Sequence, residues 1–242
     1  MHVHSILADK SRKKVKAMNI GFKINKNFHR PSRDVLAEFA DIPIPNIGDA
    51  MQRTAAISSS IKSVNNERLS GTAYTVRVPA GDNLLFYYAI DQASPGDVIV
   101  VDGGGFTERA LCGEIMATLA KERGLAGFVI NGAIRDYVEL SQMEFPVFAI
   151  ASCPNGPYKN GPGEINVPVN IGGRIVCPGD ILIGDKNGLV SFKEEEVPEI
   201  IENVNTIIKK EQALMDDVKK NRRMDLRWIY QKLAVEQCTI TE

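Results

Sequence analysis

Histidine is almost missing from this sequence, and the three that occur, His2, His4 and His29, all precede the first clear strand. That argues against a Ser-His-Asp triad or a His-ligated metal centre in the body of the chain. A metal here would have to be held by oxygen, which favours Mg²⁺ or Mn²⁺ over Zn²⁺. Cysteine is scarce too: Cys112, Cys153, Cys177 and Cys238 are scattered with no CxxC pair, which argues against a zinc ribbon and for free thiols in a reducing compartment. No apolar run reaches the roughly 18 residues of a membrane helix. A formal net charge of -1 gives no reason to expect nucleic acid or an acidic membrane as partner. The opening MHVHSILADKSRKKVKAMNI has basic residues but no apolar core behind them, so a frayed lead-in is expected there, with no secretory signal and the chain in the cytoplasm.

What is present is an ordinary globular composition, 44% hydrophobic and 24% charged over 242 residues, enough to bury a real core. PSRDVLAEFA predicts a short helix opened by Pro31-Ser32, and IPIPNIGDAM an irregular entry to a second helix beginning near Asp49. LSGTAYTVRVP alternates as a half-buried strand does. GDNLLFYYAIDQA then reads as a helix, SPGDVIVVDGGG as a turn and buried strand, and CGEIMATLAKERG as a helix closed by Gly124. AGFVINGA is the next buried strand, RDYVELSQM a helix and FPVFAIA another strand. SCPNGPYKNGPG, residues 152–163, is too rich in Pro and Gly for regular structure. Beyond it come four short strands punctuated by GG, PGD and DKNG, and a long charged helix from about Glu195 to Glu236. Residues 94–105 and 177–188 share one layout, Pro-Gly-Asp, four residues, Asp, then Gly, which predicts two matching strand entries in one mixed sheet.

Two stretches carry chemistry. A helix starting at Gly113-Glu114 would present free backbone N–H groups near residues 114–117, an end that attracts carboxylate or phosphate; it can equally be an ordinary helix start beside a loop. DGGGFTERALCG fits neither GxGxxG nor a GK[ST] loop, so a nucleotide-phosphate cradle is poorly supported. Arg135 and Asp136 follow a strand and a Gly-Ala-Ile turn, at the carboxyl end where α/β sheets place ligands. As neighbours in sequence they are expected to look away from each other. Asp136 can be a helix cap and Arg135 a solvated charge. If their strand adjoins the one before GEIM, amides, a guanidinium and the carboxylates of Glu114 and Asp136 surround one cleft, suited to a metal and an oxyacid.

The ordered motifs VDGGG, GEIMA, G-A-I-RD, FPVFA, GPGEINVPVNIGG and PGD, with GTAYTV and GDNL upstream, resemble the RraA-like family, which includes the 4-hydroxy-4-methyl-2-oxoglutarate (HMG/CHA) aldolases. The resemblance runs from about Ile47 into the C-terminal helix. It implies an α/β fold, a β/β/α swivelling sandwich with mixed sheets, spanning residues 31–242 as one domain behind a lead-in of residues 1–30. It implies a homotrimer or hexamer with active sites between subunits. Carried over, Asp136 ligates Mg²⁺ or Mn²⁺, Glu114 holds water on the metal, Arg135 meets the keto or enolate oxygen, and the amides of Gly113-flanked Glu114, Ile115, Met116 and Ala117 hold a pyruvate carboxylate. Glu211, in the last helix, falls where aldolases contribute a carboxylate from the adjoining subunit. The implied activity is a metal-dependent, class II-type cleavage of a 4-hydroxy-2-oxo acid to pyruvate, with oxaloacetate decarboxylation through the same enolate. No suitable lysine stands in the motifs for Schiff-base chemistry. Some RraA-like proteins instead bind and inhibit an RNA-degrading enzyme, and relatives have carried a menaquinone-methyltransferase name, for which nothing here resembles an S-adenosylmethionine site. The loop DGGGFTERALCGE differs from the best-known aldolases and leaves the substrate open; Arg109, Tyr158 and Lys159 are candidates to meet a distal carboxylate.

Overall fold

The computed structural model describes residues 20–241; the first part of the expected lead-in, with His2 and His4, lies outside them. The chain opens with β1 (Phe22–Ile24), α1 (Arg33–Ala37), α2 (Ile44–Ala50), β2 (Lys62–Ser63) and β3 (Leu69–Arg77). The alternating middle is α3 (Leu84–Gln92), β4 (Asp97–Asp102), β5 (Ala110–Cys112), α4 (Glu114–Glu122), β6 (Gly127–Ile134), α5 (Tyr137–Gln142) and β7 (Val147–Ser152). Five strands follow, β8 (Gly163–Ile165), β9 (Val169–Ile171), β10 (Arg174–Val176), β11 (Ile181–Asp185) and β12 (Gly188–Phe192), then α6 (Val197–Asn221) and α7 (Arg227–Val235).

Period-two patterning builds the layers. On β4, Ile99 and Val101 face one apolar cluster while Val98 and Val100 face the other; on β6, Phe128 and Ile130 oppose Val129 in the same way. The first cluster packs under α3, α4 and α5, where Phe86, Phe128 and Phe145 meet edge to face. The second is roofed by the hairpin of β9 and β10. Each such side chain fully withdrawn from water contributes about 1.5–3 kcal/mol before entropy is counted. The molecule is therefore a mixed α/β sandwich of small β layer, sheet and helices.

The sheet runs β1-β8-β3-β4-β6-β7-β2, with β3, β4, β6 and β7 parallel. The free side of β3 is shared: β11 pairs with its first half and β8 with its end. The twinned Pro-Gly-Asp turns converge here, since Asp97 of β4 and Ile181 of β11 both register against Thr72. In each turn the aspartate accepts an amide from three residues back, Ser94 in one and Cys177 in the other, both at 2.8 Å. The expected pair of matching strand entries is present.

Three boundaries differ from expectation. The second helix ends, and does not begin, near Asp49, because Pro45 sits in its first turn, where a missing N–H costs nothing. The long C-terminal helix is two: Arg222 turns left-handed (φ 51°) with its amide on Val218 O, and Asp225 then accepts the Arg227 amide to open α7. Residues 22–30, expected as lead-in, carry β1 parallel to β8 and the Arg30 pair to Asp97. Among the described residues no helix is long and apolar enough to cross a membrane.

Candidate active site

Strand pairing brings the two motifs together. The strand in front of GEIM is the short β5, inside the stretch DGGGFTERALCGE expected as a loop; it lies parallel on the end of β6. The Arg135 amide donates to Cys112 O, so the chain leaving β6 is clamped to the chain entering α4. Helix α4 starts at Glu114 with Gly113 as its N-cap residue, as expected. Asp136 takes a left-handed backbone (φ 54°), a conformation that costs a non-glycine residue on the order of 1–3 kcal/mol and concentrates at functional sites. Its side chain does not cap α5; Oδ2 instead accepts the Glu114 amide at 3.1 Å. A Cβ on Gly113 would lie 2.2 Å from that Oδ2 and 2.9 Å from Arg135 Cγ. A side chain at 113 would push the Asp136 carboxylate and the Arg135 stem out of their places.

Contrary to expectation, Arg135 and Asp136 do meet, Nε to Oδ2 at 3.5 Å. The pair is longer than a hydrogen bond, and both groups are partly exposed. Of the four expected α4 amides, that of Glu114 is held by Asp136 and that of Ala117 donates to Gly113 O within the helix. Ile115 and Met116 keep amides with no acceptor among the described residues, at the positive end of the helix.

Beside these groups lies a cavity of about 200 Å³ whose walls include Asn83, Tyr87, Gly113, Met116, Arg135 and Lys159. Asn83 was not singled out from sequence. Its Nδ2 donates to Leu111 O at 2.9 Å, leaving Oδ1 buried without a partner. The available signal was two candidate caps in series: Asp82 Oδ1 already accepts the Leu84 amide of α3, so Asn83 is surplus to capping and faces the cavity. Cys112 also borders the cavity, and burial pushes its thiol pKa up. Of the three candidates for a distal carboxylate, Arg109 is engaged by Gly156 O and stacks on Tyr158, whereas Lys159 lines the cavity. Glu211 lies elsewhere in the chain, accepting from Asn46 Nδ2 at 2.6 Å on α2.

No cluster of three or more His, Cys, Asp or Glu able to hold a metal occurs among the described residues. Asp136 does offer Oδ1 and part of Oδ2, and Mg²⁺ commonly accepts one or two carboxylates with water and substrate completing the shell.

The RraA-like model, described as Aldolase/RraA, matches residues 44–191. This chain belongs to the RraA-like family. It is 40% identical over 190 residues, 78% of this chain and 88% of the other, to a Halalkalibacterium halodurans protein named "Putative 4-hydroxy-4-methyl-2-oxoglutarate aldolase". A Thermus thermophilus protein named 4-hydroxy-4-methyl-2-oxoglutarate aldolase is 39% identical over 127 residues, 52% of this chain and 77% of that one. Among solved structures, the Thermus RNA-processing inhibitor RraA superposes with a TM-score of 0.60 at 34% identity, covering 64% of this chain and 94% of that one. The matched span takes in Gly113-Glu114 at the start of α4 and Arg135-Asp136 at the end of β6.

Proposed function

We propose that this RraA-like protein is a divalent-metal-dependent aldolase that cleaves a 4-hydroxy-2-oxo acid of the 4-hydroxy-4-methyl-2-oxoglutarate type to pyruvate and also decarboxylates oxaloacetate. The observation that carries the reading is the strained, half-open Asp136 carboxylate, set against Gly113 and beside Arg135 at the start of α4. Asp136 Oδ1 makes no hydrogen bond among the described residues, so the carboxylate keeps an oxygen for a ligand. The names of the aldolase relatives support the same reaction.

In this reading Asp136 holds Mg²⁺ or Mn²⁺, which when bound supplies Lewis-acid polarisation of the 2-oxo group. The unpaired amides of Ile115 and Met116 receive the adjoining carboxylate. Arg135 faces the oxygen on which negative charge grows as the C–C bond breaks; a fixed donor of this kind contributes about 3 kcal/mol to the transition state. Asn83 Oδ1 accepts from a hydroxyl or a water in the cavity. The Glu114 side chain, exposed and without a hydrogen bond among the described residues, is the in-chain candidate to take the hydroxyl proton. Glu211 serves the pocket of an adjoining subunit in a homotrimer or hexamer. Oxaloacetate loses CO₂ to the same enolate with no hydroxyl to deprotonate. The cavity is below the roughly 300 Å³ where cofactor-sized pockets begin, which supports a small acid over a methyl-donor cofactor.

The Thermus inhibitor's name favours a second reading, a protein that binds and restrains an RNA-degrading enzyme. A coupled pyruvate assay on oxaloacetate and branched 4-hydroxy-2-oxo acids, with Mg²⁺ and with EDTA, decides between them. Metal-dependent pyruvate release upholds the aldolase; none from any of these acids removes it.

A further inference from the structure

Asp82 lies buried beside the cavity, 3% exposed, without being one of its walls. Its carboxylate meets three backbone amides from two different segments. Oδ1 accepts the Leu84 amide at 2.9 Å, at the start of α3. Oδ2 accepts the amides of Asn160 at 2.6 Å and Gly161 at 3.0 Å, in the loop between β7 and β8. An ionised carboxylate offers about four acceptor sites and no donor, whereas an amide oxygen or a hydroxyl offers about two. Capping α3 uses one of them; holding both segments uses three. An ion pair does not account for the burial, since no cation reaches Asp82 at ion-pair distance among the described residues.

Both segments are walls of the cavity. Helix α3 supplies Asn83 and Tyr87, and the loop supplies Gly156, Pro157 and Lys159. Two backbone bonds extend the join: the Tyr158 amide donates to Gly81 O at 2.8 Å, and the Asn83 amide to Tyr158 O at 3.0 Å. Each segment then bears on the chemical groups. Asn83 Nδ2 donates to Leu111 O at 2.9 Å, just ahead of α4. Gly156 comes so near Arg135 that an added Cβ would lie 3.4 Å from its Nη1. The spacing of these walls therefore depends on a side chain that stands outside the cavity.

We propose that Asp82 is a positioning residue of this pocket: by tying the start of α3 to the β7–β8 loop, it holds Asn83 and Arg135 where a small acid binds. The proposed function enters only through the choice of a 2-oxo acid as probe.

The test compares the full chain as wild type, Asp82→Asn and Asp82→Ser, the last of which can still cap α3. Asp97→Asn is the control, because Asp97 is as deeply buried but opens β4 and is no wall of the cavity. Hydrogen exchange read by mass spectrometry should quicken about tenfold or more at Asn160 and Gly161, relative to β4 and β6, in both Asp82 variants. Asp97→Asn should not show this local rise. Calorimetric titration of pyruvate in the presence of Mg²⁺ should give an affinity about tenfold weaker in the Asp82 variants and unchanged in Asp97→Asn. A misfolded fraction lowers the stoichiometry and leaves the affinity alone, so the comparison survives a loss of stability. Wild-type exchange in the loop, an unchanged affinity, or an equal loss of affinity in Asp97→Asn overturns the proposal. If the wild type binds no pyruvate the proposed function fails, and the loop exchange alone decides for or against Asp82. A wild type that shows both effects but releases no pyruvate from any hydroxy acid upholds Asp82 and sinks the aldolase.

Discussion

Asp97 opens the parallel strand β4 and Asp136 follows the parallel strand β6, each beside an arginine, and the fold uses them in opposite ways. Asp97 is 1% exposed, takes Arg30 through two hydrogen bonds at 2.8 and 2.9 Å, and accepts the Ser94 amide as well. Its oxygens are saturated and its backbone is relaxed, and the pair ties the segment before α1 to the sheet. Asp136 is partly exposed, reaches Arg135 only at 3.5 Å, accepts one amide, and holds a left-handed backbone to do so. A saturated carboxylate stabilises; an under-used one, kept in a strained posture, is left for something else to bind.

Exchanging the two roles by mutation is the sharpest way to break this contrast. Asp136→Ala should lower metal-dependent pyruvate release by about a thousandfold or more, a loss typical of a reacting centre, with the melting temperature held or slightly raised. Retained activity would remove Asp136 from the chemistry. Arg135→Ala should cost about a hundredfold in kcat, and a change confined to KM would contradict a role in charge stabilisation. Gly113→Ala forces a methyl group against Asp136 and should reduce turnover about tenfold or more through displaced geometry, while Gly48→Ala, where the added carbon meets nothing within 4 Å, should not. Asp97→Asn should do what none of these does: leave the chemistry and lower stability by about 2–3 kcal/mol, because Arg30 loses its charged partner. A melting point unmoved by that change would undo the structural half of the comparison.

The smallest effect separates the twin turns. Burial pushes the Asp180 carboxyl pKa up from its ordinary 3.8, and no arginine or lysine reaches it at ion-pair distance among the described residues, unlike Asp97. The folded state therefore binds this proton more tightly than the unfolded state. Its contribution favours folding at low pH and is lost as pH rises through the folded pKa. Asp180→Asn should flatten that slope in denaturation curves between about pH 4 and neutrality; an unchanged slope assigns it to other groups.

How far the sequence could be read follows the same division. Period-two runs such as Val98–Val101 disclosed the buried strands, since each face meets its own apolar cluster. The Pro-Gly-Asp echo disclosed the twin turns, because the aspartate acts locally on an amide three residues away. Gly124 closed α4 as expected, in the left-handed region (φ 74°). What stayed hidden depends on non-local pairing or on rare backbone states. Strand β5 exists because β6 offers it an edge, and ALC alone is too short to announce itself. The break at Arg222 uses a left-handed residue with no glycine or proline to mark it. Arg135, Asp136 and Gly113 were visible as candidates around one cleft, but the direct approach of Arg135 to Asp136 was not. Asn83 was missed because an asparagine before an apolar run reads as a cap, and only the structure shows Asp82 already holding that place.

In the proposed function Asp136 anchors a dication to which a 2-oxo acid binds. Calorimetric titration of Mg²⁺ into the protein saturated with pyruvate, for the wild type and for Asp136→Ala, tests it most directly. A one-site isotherm is expected for the wild type and none for the variant at the same concentrations. Equal Mg²⁺ affinity in the two proteins would contradict it.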